Sequence, residues 1–135
     1  MWHTIIIVGN VGRDPEMRYT PSGQAVTSFS VATSRTYSGS NGQQVKETIW
    51  FRISAWAKLA ETCSQYLHKG SKVLVEGRLQ PDDKGNPRTY QRNDGTTGAN
   101  FEVTAQTVRF LSSKTEGEGP GAEGEGSAEG EEIPF

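Results

Sequence analysis

The residues from 47 to 56 read E-T-I-W-F-R-I-S-A-W and alternate with the period of a β-strand. One face of that strand is a core face, formed by Ile49, Phe51, Ile53 and Ala55. The other face carries Trp50, Arg52 and Trp56. Aromatic rings interleaved with a cation suit unpaired bases, because stacking accepts any base and the cation meets the phosphates. Large aromatic side chains are also often buried, so the segment alone equally allows a second layer that covers both indoles.

Charge is distributed unevenly along the 135 residues. Residues 1–111 carry 13 Lys and Arg against 9 Asp and Glu, a net charge of +4, whereas residues 112–135 carry 1 against 7, a net charge of -6. A length of this size suits one domain with an appendage, and we assign the domain to residues 1–111. A basic domain beside an acidic segment indicates a polyanionic ligand for the domain.

The composition argues against several other classes of protein. A single cysteine, Cys63, forms no intrachain disulfide or multi-cysteine zinc site, which fits a reducing compartment. His3 and His68 lack metal-ligand spacing, and Gly9-x-x-Gly12 matches neither a dinucleotide fingerprint nor a phosphate-binding loop. The apolar run 5–8 is too short for a signal peptide or membrane span. We therefore expect a soluble cytoplasmic protein that is not an enzyme, with no cofactor, no metal and no membrane association.

The pattern of the whole domain predicts an all-β fold. Strands are expected in segments that begin at Thr4, Ala25, Val45, Lys72 and Asn100, and one helix between the third and fourth strands. That helix should start at Ser54 or Trp56 and stop at Gly70. This order describes a five-stranded OB-fold barrel, which binds oligonucleotides across its second and third strands. The run 5–8 is apolar on both faces, so we expect a partner subunit to cover one of them.

Residues 80–98 are rich in Gly and Pro and predict a β-arm between the fourth and fifth strands. Within it, Tyr90 is flanked by Arg88 and Arg92 at spacing i±2, so an extended chain places all three on one side. This repeats the chemistry of Trp50 and Arg52. The arm is therefore a second candidate surface for bases and phosphates.

The C-terminal part of the sequence has a different composition. Residues 112–129 are dominated by Gly and Glu, and such composition predicts a disordered linker. The last six residues combine acidic and large apolar groups and suit a small apolar pocket ringed by basic side chains. We predict that this tip binds partner proteins through Gly130, Glu131, Glu132, Ile133, Pro134 and Phe135.

Several sequence runs resemble the bacterial single-stranded DNA-binding protein family. They are V-G-N-V-G-R-D-P-E-M-R-Y at 8–19, P-S-G-Q-A-V at 21–26, A-T-S at 32–34, K-L-A at 58–60, Y-L-H-K-G at 66–70 and V-E-G-R-L at 75–79. The ending E-E-I-P-F is similar to the acidic D-D-I-P-F ending of that family. The resemblance implies an OB-fold homotetramer that is wrapped by single-stranded DNA and acts in replication, recombination and repair. It also implies a nucleoid-associated protein whose tip recruits enzymes of these processes.

The resemblance carries over to individual binding residues. Trp50, Trp56 and Tyr37 fall on base-stacking positions of the family, and Tyr90 is the candidate for a fourth, although residues 81–86 alter the loop before it. The cations expected to contact phosphates are Arg35, Arg52, Lys58, Lys72, Arg78, Arg88 and Arg92. Two alternatives stay open from the residues alone, namely a single-stranded RNA-binding OB module and a protein-interaction adaptor.

Overall fold

The structure, a computed structural model, describes residues 1–112. The predicted linker, apart from Ser112, and the predicted partner-binding tip lie outside these residues. The described part contains strands β1 (Ile5–Val11), β2 (Glu16–Tyr19), β3 (Ala25–Ser38) and β4 (Gln44–Trp56), then helix α1 (Ala57–Tyr66). Strands β5 (Lys72–Leu79), β6 (Thr89–Gln91), β7 (Thr97–Ala99) and β8 (Phe101–Phe110) follow.

Five of these strands close into a barrel in the order β1-β5-β8-β4-β3, and a short β1–β3 pairing completes the circle. All neighbouring pairs are antiparallel except β4 and β8, which run parallel. The barrel strands β1, β3, β4, β5 and β8 correspond to the predicted five, with α1 between the third and the fourth. The predicted all-β OB barrel is therefore confirmed. β2 adds to the outer edge of β3.

Aliphatic side chains from alternate positions of the strands fill the barrel interior. Ile7, Val31, Ile53, Val75 and Val103 are almost completely buried, and Cys63 and Leu67 join the same cluster from α1 and the residue after it. Two glycines allow β1 to approach β3 closely and β5 to approach β8 closely. A Cβ on Gly9 would overlap the carbonyl oxygen of Ala32, and one on Gly77 would overlap that of Thr104. Glycine at these two positions thus permits the backbones to meet.

The limits of the helix differ from those predicted. It starts at Ala57, which has a left-handed φ of 57°, and no side chain caps its first turn. It ends at Tyr66 rather than at Gly70, because Leu67 is extended and turns its side chain into the core. Gly70 instead occupies a turn with φ 91°, and its N–H donates to the carbonyl of Val11 at 2.8 Å.

Two parts of the sheet extend away from the barrel. β3 and β4 form a long hairpin whose pairing runs from Val26 and Trp56 to Ser38 and Gln44. Its outer half, from Thr33 and Ile49 onward, pairs with no other described strand. β6 and β7 form a separate two-stranded sheet, which is the predicted arm between β5 and β8.

Candidate nucleic-acid interface

The outer face of β3 and β4 presents the first indole to solvent. Trp50 is 54% exposed and lies directly opposite the small Ala32 in the antiparallel register. The residues on the same face of β3, Ser28 and Ser30, are also small. Across this face the structure has no second layer within the described residues, so the alternative of buried indoles does not apply. A flat ring beside small neighbours leaves room for a planar ligand.

The indole of Trp50 rests on the backbone at Gly12. A Cβ at Gly12 would come within 2.5 Å of Cζ3 and 2.9 Å of Cη2 of Trp50. The N–H of Gly12 donates to the carbonyl of Ser30 at 3.0 Å, which ties the end of β1 to β3 beneath the ring. The sequence alone does not mark Gly12 as a site residue, because its contact with Trp50 joins segments far apart in the chain.

Two further side chains continue along this face of β4. Arg52 is exposed and lies between Ser30 of β3 and Glu102 of β8 in the register. Trp56 is 36% exposed and ends the strand immediately before the left-handed Ala57. Lys58 follows on the first turn of α1 and is exposed. The structure therefore places Trp50, Arg52 and Trp56 on one face of β4, and Lys58 follows just beyond the end of that strand.

Tyr37 lies at the outer end of the hairpin and is 41% exposed. It pairs with Val45, so strand alternation places it on the face opposite to that of Trp50. The guanidinium carbon of Arg35 lies 4.7 Å from the ring centroid of Tyr37. The structure thus separates Tyr37 from the two indoles and combines it with Arg35 instead.

Arg35 also forms an ion pair across the hairpin. Its Nε donates to Oε1 of Glu47 at 2.6 Å, and the two residues are direct partners in the register. The hydrogen bond to Glu47, followed by the attraction of its charge, raises the pKa of the Arg35 guanidinium above its usual value. Both side chains are largely exposed, so water screens the pair.

The arm holds Tyr90 across a glycine. Tyr90 pairs with Gly98, where a Cβ would come within 2.6 Å of the tyrosine Cζ and 2.8 Å of Nη2 of Arg92. Arg92 lies 5.6 Å from the Tyr90 ring centroid and donates from Nη1 to the carbonyl of Thr97 at 3.0 Å. Tyr90, 43% exposed, and Arg92 therefore share one side of the arm, in agreement with the i±2 spacing.

Arg88 has a different environment from Arg92. Its Nε donates to the carbonyl of Pro81 at 3.0 Å, which closes the loop at the base of the arm. Within that loop, a carboxylate oxygen of Asp82 accepts from the N–H groups of Asn86 and Lys84, each at 2.9 Å. These two hydrogen bonds lower the pKa of Asp82. These hydrogen bonds hold the loop of residues 81–86 together, and Arg88 contributes one of them.

The last two predicted cations lie apart from the indoles. Lys72 and Arg78 are exposed at the two ends of β5, and β8 separates that strand from β4. Arg78 lines an open groove of about 550 Å³ together with His3, Leu79, Gln80, Pro81, Gly85 and Thr104. Nε2 of His3 accepts from the N–H of Leu79 at 3.1 Å. Trp2, which precedes His3, is a further exposed indole. It lies before the first strand, so strand alternation does not mark it as a site residue.

Other kinds of site find no support among residues 1–112. No cluster of three or more His, Cys, Asp or Glu side chains there could hold a metal ion. The thiol of Cys63 is fully buried, and burial raises its pKa to about 11. In the same part of the chain, no helix has the length and apolar character needed to cross a membrane.

Comparison with known sequences shows to which protein family this chain is related. A model of the single-strand binding protein family matches residues 2–111. The chain belongs to this family. A single-stranded DNA-binding protein of Neisseria meningitidis serogroup B is 44% identical over 115 residues, which cover 85% of this chain and 63% of the relative. The corresponding protein 1 of Chlorobaculum tepidum is 40% identical over 115 residues, covering 85% of this chain and 68% of the relative. The chain thus spans less than two thirds of the Neisseria relative.

Solved structures of the family share the fold. The Plasmodium falciparum SSB in complex with ssDNA superposes with a TM-score of 0.68 at 24% identity, covering 83% of this chain and 97% of that one. A deletion mutant of the single-stranded DNA-binding protein from Thermus aquaticus gives a TM-score of 0.64 at 24% identity, covering 83% and 51%. At this level of identity the likeness establishes the barrel architecture of the family for this chain.

Proposed function

We propose that this chain binds single-stranded DNA without sequence preference. The observation that carries the proposal is the exposed indole of Trp50, supported from below by Gly12 and flanked by Arg52 on an uncovered sheet face. Membership of the single-strand binding protein family and the names of its relatives support the same function.

Bases stack on Trp50 and Trp56 in this proposal, while Arg52 and Lys58 neutralise the adjacent phosphates. Stacking contributes about 1 to 3 kcal/mol per base and accepts all four bases, which accounts for the absence of sequence preference. Paired bases present their edges rather than their faces, so exposed rings select unpaired strands. Tyr37 and Tyr90 extend the contact to the hairpin end and the arm, and Lys72, Arg78, Arg88 and Arg92 are further cations proposed to meet phosphates.

We also propose that the protein works as a homotetramer. β1 bonds to β5 along one edge, and no described strand pairs with the other edge of residues 5–9. On the same strand Ile6 is 62% and Val8 45% exposed. A free backbone edge with apolar side chains is a surface that a second copy of the chain covers well. The support is the geometry of a single subunit together with the family resemblance.

The cellular part of the proposal rests on the sequence alone. Residues 130–135 recruit enzymes of replication, recombination and repair while the barrel protects the strand, in the cytoplasm at the nucleoid. Acidic residues beside Ile133 and Phe135 favour an apolar pocket with basic rims on the partner.

The proposed function is tested by titrating the protein with an oligo-dT strand while following tryptophan fluorescence. Trp50→Ala should weaken binding about 5- to 150-fold, the equivalent of one stacked base. Tyr66→Ala, which removes an exposed aromatic ring from α1, is the matched control and should bind like the parent. A matched RNA strand at the same salt concentration separates DNA from RNA specificity. Parental affinity in a folded Trp50→Ala protein would refute the stacking role.

A further inference from the structure

The end of the β3–β4 hairpin holds three side chains in contact on one face. Arg35 and Tyr37 are two apart on β3, and Glu47 faces Arg35 from β4. The guanidinium lies 4.7 Å from the Tyr37 ring centroid and 2.6 Å, from Nε to Oε1, from Glu47. Arg35 thus contacts both Tyr37 and Glu47 before any ligand binds.

We infer that Arg35 is a positioning residue, which holds the ring of Tyr37 as a one-sided stacking platform, and is not a phosphate contact. This inference rests on the proposed binding of single-stranded DNA and defines how one part of that site works. It changes the role predicted for Arg35 from its charge alone.

The first reason is electrostatic. Glu47 compensates the charge of Arg35 at hydrogen-bonding distance, so the pair attracts a phosphate much less than a free arginine does. A phosphate would have to displace the carboxylate and lose its hydrogen bond. Lys46, on the other face of the same hairpin end opposite Thr36, has no such carboxylate partner among the described ion pairs.

The second reason is steric. A guanidinium is flat and stacks on an aromatic ring through cation–π attraction, which covers one face of Tyr37. The exposed remainder of the ring is free for one base. Because Glu47 holds the guanidinium from the opposite strand, the ring is oriented before binding and less side-chain entropy is lost when the base arrives.

The test uses the full chain and four variants, namely Arg35→Gln, Arg35→Lys, Tyr37→Ala and the double variant Arg35→Gln/Tyr37→Ala. Each is titrated with oligo-dT at several salt concentrations by tryptophan quenching. Lys46→Gln is the matched control, because it removes one charge from the same hairpin without touching Tyr37.

We expect Arg35→Gln to weaken binding about two- to fivefold, the size of an exposed cation–π contact. The slope of log affinity against log salt should equal that of the parent. Arg35→Lys should stay within about twofold of Arg35→Gln, because its compact ammonium group cannot stack flat. In the Tyr37→Ala background, Arg35→Gln should cause no further loss.

A phosphate contact gives the opposite pattern. Arg35→Gln would then lower the salt slope by about 0.7, the value for one phosphate of a single strand. Arg35→Lys would restore parental affinity, and the loss would persist without Tyr37. Any of these results, or a Tyr37→Ala protein with parental affinity, overturns the inference. If the parent itself does not bind oligo-dT, the proposed function fails instead, so the two failures are distinct.

Discussion

The indole of Trp50 and the α-carbon of Gly12 are in direct contact, although 38 positions separate them in the sequence. A Cβ at position 12 would overlap the indole of Trp50 in its present orientation. We therefore expect Gly12→Ala to tilt the indole and weaken single-stranded DNA binding about fivefold, roughly 1 kcal/mol of the stacking energy. Fluorescence titration measures the effect. In a Trp50→Ala background the same substitution should change nothing, and a further loss there would disprove the coupling.

Ala57 has a left-handed φ of 57°, which is unfavourable for a side chain with a Cβ. Ala57→Gly should relieve this strain and raise the free energy of unfolding by about 1 kcal/mol. Urea unfolding at fixed protein concentration checks the value. Ala99→Gly is the matched control, because Ala99 is an exposed strand residue without a positive φ, and there glycine should destabilise by about 0.5 to 1 kcal/mol. Equal changes in the free energy of unfolding for Ala57→Gly and Ala99→Gly would show that the backbone at Ala57 is not strained.

Cys63 makes the free energy of unfolding depend on pH in the alkaline range. Burial raises the thiol pKa from 9.0 to about 11, so between these values the unfolded chain loses a proton that the folded chain keeps. The contribution of this group is complete below pH 9 and is lost as the pH rises toward 11, by about 2 kcal/mol. Urea unfolding of the parent and Cys63→Ala at pH 7, 9 and 10.5 isolates this group from lysines and tyrosines. The difference in free energy of unfolding between the parent and Cys63→Ala should decrease as the pH rises. A constant difference would refute the raised pKa of Cys63.

Ile6 gives the test for oligomerisation. Ile6→Glu places a charge on the exposed apolar face of β1 and should disrupt the proposed tetramer, because burying an unpaired carboxylate costs several kcal/mol. Light scattering coupled to size exclusion gives the subunit number directly. Gln44→Glu adds the same charge at an exposed polar position of the hairpin and should leave the assembly unchanged. A tetrameric Ile6→Glu protein would place the interface elsewhere.

The tip is tested by deleting residues 133–135. The truncated protein should bind oligo-dT within about twofold of the parent at moderate salt, because the aromatic surface is intact. Co-purification of replication and repair enzymes should be lost together with the apolar groups. Deleting residues 126–128 of the linker, which also removes three uncharged residues, is the matched control. Retention of the same partners by the truncated protein would refute the assignment of the tip.

The sequence predicted the sheet well where a two-residue period decides the outcome. The separation of Ile53 and Ala55 from Trp50 and Arg52 follows from alternation alone, and the structure buries the first pair and exposes the second. β5 was predicted from Lys72 to Leu79 and has those limits. The helix limits were less accurate, because the strand enters α1 through Ala57 without a capping side chain and Leu67 leaves it for the core.

The details of the site depend on contacts between distant segments, which periodicity does not contain. Tyr37 looked like a companion of Trp50, but the register with Val45 places it on the other face. Arg88 looked equivalent to Arg92, yet the carbonyl of Pro81 engages its Nε. Gly12 could be identified only after the fold had brought it under an indole. Such distinctions require the three-dimensional structure.

The long hairpin has a further consequence for how the surface responds to a ligand. Near Val31 and Phe51 it is part of the closed barrel, whereas beyond Thr33 its two strands bond only to each other among the described residues. Amide exchange should therefore accelerate from the root of the hairpin to its end, since local opening costs least where tertiary contacts are few. Trp50 lies beside the closed barrel, and Tyr37 lies at the free end of the hairpin. There Arg35 keeps the ring of Tyr37 oriented on its own strand, while the two strands can bend together, so the hairpin combines a fixed position with a movable one.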